Sequence, residues 1–271
     1  MTDALPVVLL HGWPVTDAHW RGLVPRLRDA GFDPLPVTLP GLGAGADGAV
    51  DFRKSALAAR LRDRLAAEGV RRCAVVGHDW GGTVAVHLAA AAPELVAALV
   101  VEEEILPGID VNVPAPGSAH YPDWHGAFNR TPGLAETLVP GREDAYYGAF
   151  LRQSAGPAGL EATALAAYVD AYRPAVVHAA GLAHYRSRSS DLADVARLRD
   201  RLIRTPVLAL GGRYAMSTAV EEGLRAVAAD VTGVVLEQSG HYPTEQEPDA
   251  AAQAILWFLD RHDECGDNRP A

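Results

Sequence analysis

Short, unbroken apolar runs alternate with amphipathic stretches over residues 5–105. "LPVVLLHG" (5–12), "FDPLPVTLPG" (32–41), "RCAVVG" (72–77) and "VAALVVEEEI" (96–105) show little polar alternation. They are predicted to be strands of a parallel sheet covered on both faces. Residues 16–30, stopping at Gly31, and 51–68 have helical periodicity. Asp51 is the predicted N-cap of the second helix, and a glycine follows its end. An Ala-rich helix follows "RCAVVG".

The pattern changes between about 107 and 203. Pro, Gly, Tyr and His become denser, strand runs vanish, and short helical patterns dominate, as in 142–154 and 160–172. Alternation then resumes with strand 205–212, helix 219–229, strand 233–240 and helix 248–262. Alternating strands and helices imply an α/β fold with right-handed crossovers and a site at the strands' carboxyl ends. The expected division is a core of 1–106 and 204–271 roofed by a helical cap, 107–203. A cap would exclude water from the site beneath it. The tail after His262 is expected to fray.

The chemistry concentrates where "RCAVVG" meets its helix, at Gly77-His78-Asp79-Trp80-Gly81. Small residues flanking a central residue at a strand–helix turn mark a nucleophile elbow, since a Cβ at either flank would strike the neighbouring backbone. The occupant here is an aspartate. The plainer reading is a helix cap on an ordinary loop. Two other segments favour the elbow. "HGWP" (11–14) ends the first strand, where the backbone N–H groups of Trp13 and Trp80 can form an oxyanion hole. His11 reads as a structural hydrogen-bonder below that turn. His241 follows the last strand, where such a fold delivers its general base. The acid that orients this base often follows the strand 205–212, yet that loop reads Arg213, Tyr214, Ala215, Met216. The preceding strand instead closes on Glu102, Glu103 and Glu104. Alternation should send Glu103 to one side and its neighbours to the other, and Glu103 is the expected partner of His241.

Composition narrows the function. The chain has 271 residues and a net charge of −10, which disfavours a nucleic-acid partner. No apolar run is long enough to span a membrane. The first strand begins too early for a signal peptide, and Cys73 and Cys265 suggest a reducing compartment, so the expected location is the cytoplasm. "GLGAGADG" (41–48) lacks the strand–helix frame of a dinucleotide site.

Over nearly its whole length the chain resembles the α/β-hydrolase-fold epoxide hydrolases and their haloalkane and haloacetate dehalogenase cousins. The resemblance rests on "HGWP", "GHDWGG", the frame Glu103-x-x-x-Pro107 and "GHYPTEQEP". Those relatives have two further strands before the first one here. The segment from Trp124 to Ala155 is similar to the cap of bacterial epoxide hydrolases that polarise the epoxide with a His–Tyr pair. The resemblance implies that His125 and Tyr185 are that pair, that Asp79 forms a covalent ester, and that His241 with Glu103 hydrolyses it. The implied substrate is a small-molecule epoxide, with no metal or organic cofactor needed, and a homodimer is one assembly known among such relatives. Outside this resemblance, His125 reads as a core histidine and Tyr185 as a packing aromatic. A dehalogenase would share Asp79 and His241, but fluoroacetate enzymes carry arginines where Trp80 and Thr83 stand, and haloalkane enzymes usually carry Asn in place of Trp13. A non-catalytic binding protein of this fold would need a broken catalytic position, and Glu103 fills the blank at Ala215.

Overall fold

The computed structural model describes residues 4–43 and 51–263. The strands are β1 (Pro6–Leu10), β2 (Asp33–Val37), β3 (Cys73–His78), β4 (Val96–Glu102), β5 (Val207–Gly212) and β6 (Val231–Leu236). They form one sheet in the order β2-β1-β3-β4-β5-β6, with every pairing parallel. Period-two alternation within these apolar runs produces two separate cores. Val8, Leu10, Val75, Leu99, Val101 and Val207 point to one face, beneath α2 (Lys54–Ala67) and α3 (Trp80–Ala91). Val7, Leu9, Ala74, Val76, Val100 and Leu208 point to the other, against α1 (Leu23–Asp29) and the closing helix Pro248–His262. Both faces are therefore dry, as the unalternated runs require.

Several boundaries differ from the sequence-based expectation. Residues 16–30 make a 3₁₀ helix, Asp17–Arg21, and then α1, rather than one helix. Thr16 accepts from the Ala18 N–H at the start, and Pro25 can stand only in the first turn of the second piece. Helix α2 starts at Lys54, not near Asp51, because Asp51 accepts the Arg53 N–H in a local turn. Strand β4 stops at Glu102, since Glu103 takes a left-handed φ of 53°. The helix after β5 ends at Leu224 rather than residue 229, and β6 begins two residues earlier than 233.

Between β4 and β5 the backbone forms helices and no strand among the described residues. The longer ones are Trp124–Arg130, Ala149–Ser154, Ala162–Ala171, Ala175–Arg186 and Arg188–Arg199. The glycine-rich run from residue 44 onward, Cys265 and most of the tail lie outside the described residues. Cys73 is a buried free thiol whose pKa burial raises to about 12. Among the described residues no helix is long and apolar enough to cross a membrane.

One buried polar cluster ties the 3₁₀ helix to the end of β4. His19 Nδ1 lies 2.9 Å from Glu245 Oε1, while its Nε2 lies 2.9 Å from the Thr244 hydroxyl and 3.4 Å from Glu102 Oε2. Burial alone would lower the His19 pKa, but Glu102 and then Glu245 override it and raise it to about 9. A histidine with a raised folded pKa adds stability that is complete below its unfolded value of about 6.5 and is lost as pH climbs through the folded one. We therefore predict that the thermal midpoint falls between pH 6.5 and 9 and that His19→Gln flattens this fall. An unchanged slope in the variant would show that the cluster is not charged.

Candidate functional site

The turn from β3 into α3 is drawn so tight that side chains are excluded on three sides. A Cβ at Gly77 would lie 2.4 Å from the Gly81 carbonyl oxygen, and one at Gly81 would lie 2.1 Å from that of Leu10. A Cβ at Gly12 would come within 2.3 Å of the Asp79 Cβ. Between these glycines Asp79 adopts φ 51° and ψ −126°, a strained conformation for a residue with a side chain. Its N–H donates to the Glu102 carbonyl at 3.0 Å, and the Trp13 N–H donates to Asp79 Oδ1 at 3.0 Å. Trp80 follows as the first residue of α3.

His11 shapes the loop that presents Trp13. Its Nδ1–H donates to the Gly12 carbonyl at 2.9 Å, and its Nε2 accepts the Leu39 N–H at 3.3 Å. Those partners fix one neutral tautomer, and burial lowers its pKa to about 4.

His241 arrives from the loop after β6, docked beneath the helix Ala149–Ser154 by a bond from its N–H to the Ser154 carbonyl, 2.9 Å. Its Nδ1 is 3.0 Å from Glu103 Oε2, and its Nε2 is 3.6 Å from Asp79 Oδ2. The second distance is too long for a hydrogen bond but short enough for strong attraction. Burial favours the neutral ring, yet the carboxylates flanking both nitrogens raise the His241 pKa to about 9.

The three consecutive glutamates are dealt to three environments. Glu102 faces His19 and accepts the Thr244 N–H at 2.8 Å. Glu103 accepts the Gly212 N–H at 2.6 Å and the Met216 N–H at 3.1 Å besides meeting His241. Burial pushes its carboxyl pKa up, against those bonds. The loop with Ala215 thus lacks a carboxylate of its own but supplies backbone donors to the one from β4. Glu104 does not rejoin Glu102 as strict alternation requires, because the left-handed Glu103 breaks the strand. It accepts the Thr83 hydroxyl instead and faces a cavity.

That cavity has a volume of about 170 Å³, and its wall includes Asp79, Trp80, His125, Tyr185, Glu104 and Lys54. The His125 ring lies nearly parallel to that of Trp13, centroids 5.9 Å apart, and 5.8 Å from that of Tyr185. Tyr185 stands edge-on to Trp80 at 4.7 Å. Burial lowers the His125 pKa to about 4 and raises that of Tyr185, so at neutral pH each ring is uncharged and retains a proton to donate. Of the seven residues singled out from the sequence, Asp79, Trp80, His125 and Tyr185 line this cavity; Trp13 and His241 adjoin Asp79, and Glu103 lies behind His241. Sequence reasoning did not single out Lys54, the only lysine in the chain. It is buried, donating to the His184 carbonyl at 2.8 Å and pairing with Asp191 at 3.2 Å, with Nζ 4.7 Å from the Trp80 ring centroid. A single lysine in an arginine-rich chain is the signal that marks it. Among the described residues no group of three or more His, Cys, Asp or Glu side chains is arranged to hold a metal.

Residues 7–254 match the alpha/beta hydrolase family, and the chain belongs to it. It is 27% identical to the soluble epoxide hydrolase of Corynebacterium sp. (strain C12), across 94% of this chain and 90% of that one. Among solved structures, Cfl2 from Burkholderia cenocepacia is similar with a TM-score of 0.86 and 29% identity, covering 95% of this chain and 89% of that one. The ligand-free epoxide hydrolase CorEH is similar with a TM-score of 0.84 and 26% identity, covering 95% and 92%.

This geometry separates the glutamates by experiment. Glu103→Gln keeps the shape but removes the charge on His241 Nδ1; the comparable change in a serine-protease triad costs about 10⁴ in rate. Glu103→Gln should cripple turnover, whereas Glu102→Gln should chiefly lower the thermal midpoint. Equal steady-state rates for wild type and Glu103→Gln would show that turnover does not need the Glu103 charge beside His241.

Proposed function

We propose that the protein hydrolyses an epoxide to a vicinal diol through a covalent ester on Asp79. The observation that carries this reading is the placing of one carboxylate, Asp79, between the Trp13 N–H and His241, beside two neutral proton donors, His125 and Tyr185. The epoxide hydrolases among its relatives support the same choice. A carboxylate is suited to displacing oxygen at an sp³ carbon, where a serine would attack an acyl carbon. In this reading residues 107–203 form a cap over a core of 1–106 and 204–271, and the cap brings His125 and Tyr185.

In the first step an Asp79 oxygen forms a bond to a ring carbon as the carbon–oxygen bond of the epoxide breaks in line. The alkoxide is too basic to leave unaided, and the His125 N–H and Tyr185 O–H stabilise it. Esterification erases the negative charge of Asp79, one of two anions that hold the proton on His241. The His241 pKa then falls, and the ring releases a proton while the alkoxide, already stabilised, takes one up. The neutral imidazole, oriented by Glu103, takes a proton from water, which attacks the ester carbonyl carbon. The Trp13 and Trp80 N–H groups hold the oxyanion, and collapse releases the diol and restores Asp79. The base is thus switched on only once there is an ester to hydrolyse.

The rival reading is a haloalkane or haloacid dehalogenase with the same nucleophile; Trp80 on the cavity wall is the observation in its favour, as a halide donor. Halide release without epoxide turnover would establish it.

Single turnover with excess enzyme in ¹⁸O-water should leave the first diol unlabelled and place the label on the Asp79 peptide, and His241→Gln should trap the ester as a mass increase there. Labelled diol in the first turnover with no trapped ester would exclude Asp79 as nucleophile.

The cap pair has its own test. Tyr185→Phe should slow ester formation, and the double variant with His125→Phe should lose nearly all of it, as followed by rapid-quench mass spectrometry. Accumulated ester with slow diol release would show that the pair acts on the second step instead.

A further inference from the structure

The mechanism leaves Glu104, on the cavity wall, unused. It is 7% exposed, one oxygen accepts the Thr83 hydroxyl, and the other has no protein partner among the described residues. Glu104 faces the space that holds Asp79, and an occupant that covered this oxygen without offering it a partner would leave it unpaired at a cost. Burial first, and then the Asp79 charge, raise the Glu104 pKa to about 8, so at neutral pH its carboxyl carries a proton to donate.

The rest of the wall sets charged side chains beside Ile105, Pro107 and Met216. The volume of about 170 Å³ falls below the roughly 300–1,000 Å³ of sites for drug-sized ligands. Lys54 and Asp191 line it as a closed ion pair, while Arg130 and Arg188 line it with no ion pair among the described residues. An alkyl or aryl tail would desolvate these groups and return no hydrogen bond.

We infer that the substrate, on the epoxide reading above, is a small epoxide with an oxygen substituent beside the ring, and that Glu104, braced by Thr83, is the residue that selects it by hydrogen-bonding that oxygen. The substituent is a hydroxyl or a carboxylate; both accept from Glu104, and only the second also draws on Arg130 and Arg188.

The test compares glycidol with 1,2-epoxybutane, which has the same shape but a methyl in place of the hydroxyl. Wild type should prefer glycidol in kcat/KM by at least about tenfold, the scale of one buried hydrogen bond to an otherwise unpaired group. Glu104→Leu should bring the ratio to near unity, while Glu104→Gln, which still donates, should keep most of it. Glycidate preferred over glycidol, with that preference lost in Arg130→Gln or Arg188→Gln, assigns the carboxylate; the opposite order assigns the hydroxyl. Equal kcat/KM for glycidol and epoxybutane in wild type, or a ratio that Glu104→Leu leaves unchanged, would overturn the inference. Should wild type open no epoxide, the functional reading fails by itself, and binding of glycerol against 1,2-butanediol, followed by ligand-observed NMR, decides the cavity's preference. Glycerol binding lost in Glu104→Leu upholds it, and equal or absent binding of both diols refutes it.

Discussion

A methyl group at Gly77, Gly81 or Gly12 would occupy space already filled by backbone or by Asp79 itself. That mutual exclusion is the constraint on which the rest of the site depends. Because the end of β1, the turn after β3 and the start of α3 touch without intervening side chains, the Trp13 N–H reaches the Asp79 carboxylate. The same closeness forces Asp79 into a left-handed conformation, which a surrounding sheet dry on both faces can hold. In this conformation the Asp79 carboxylate makes no capping bond to α3.

From that fixed point the electrostatics follow from placement. The β4 strand neighbours β3, so its carboxyl end delivers glutamates beside the elbow. A single left-handed residue, Glu103, then parts three adjacent carboxylates. One braces the scaffold through His19, one meets His241, and one faces the cavity. Without that break Glu102 and Glu104 would share an environment. His241 lies between one of these, Glu103, and the Asp79 carboxylate, and the two together raise its pKa to about 9.

Much of this was legible in the chain itself. Unalternated apolar runs implied a sheet covered on both faces, and the glycines around Asp79 implied a turn with no room for side chains; both are local consequences of sterics and burial. The blank at Ala215 pointed to Glu103, just beyond β4, as the carboxylate beside His241. Local pattern did not set where elements stop. The split of residues 16–30, the start of α2 at Lys54 and the end of β4 at Glu102 depend on side-chain bonds and one backbone dihedral that periodicity does not encode.

Tertiary structure alone decided which polar groups face which. Whether Glu104 lies with Glu102 or opposite it, whether Lys54 is solvated or buried against Trp80, and whether His125 and Tyr185 adjoin Asp79 are settled by contacts between segments distant in sequence. Residue type determined the chemistry available to this protein, because a carboxylate, an imidazole and a phenol carry their reactivity with them. Their pKa values and partners came from the fold, because desolvation and charge attraction depend on distances that exist only once the chain has closed around them.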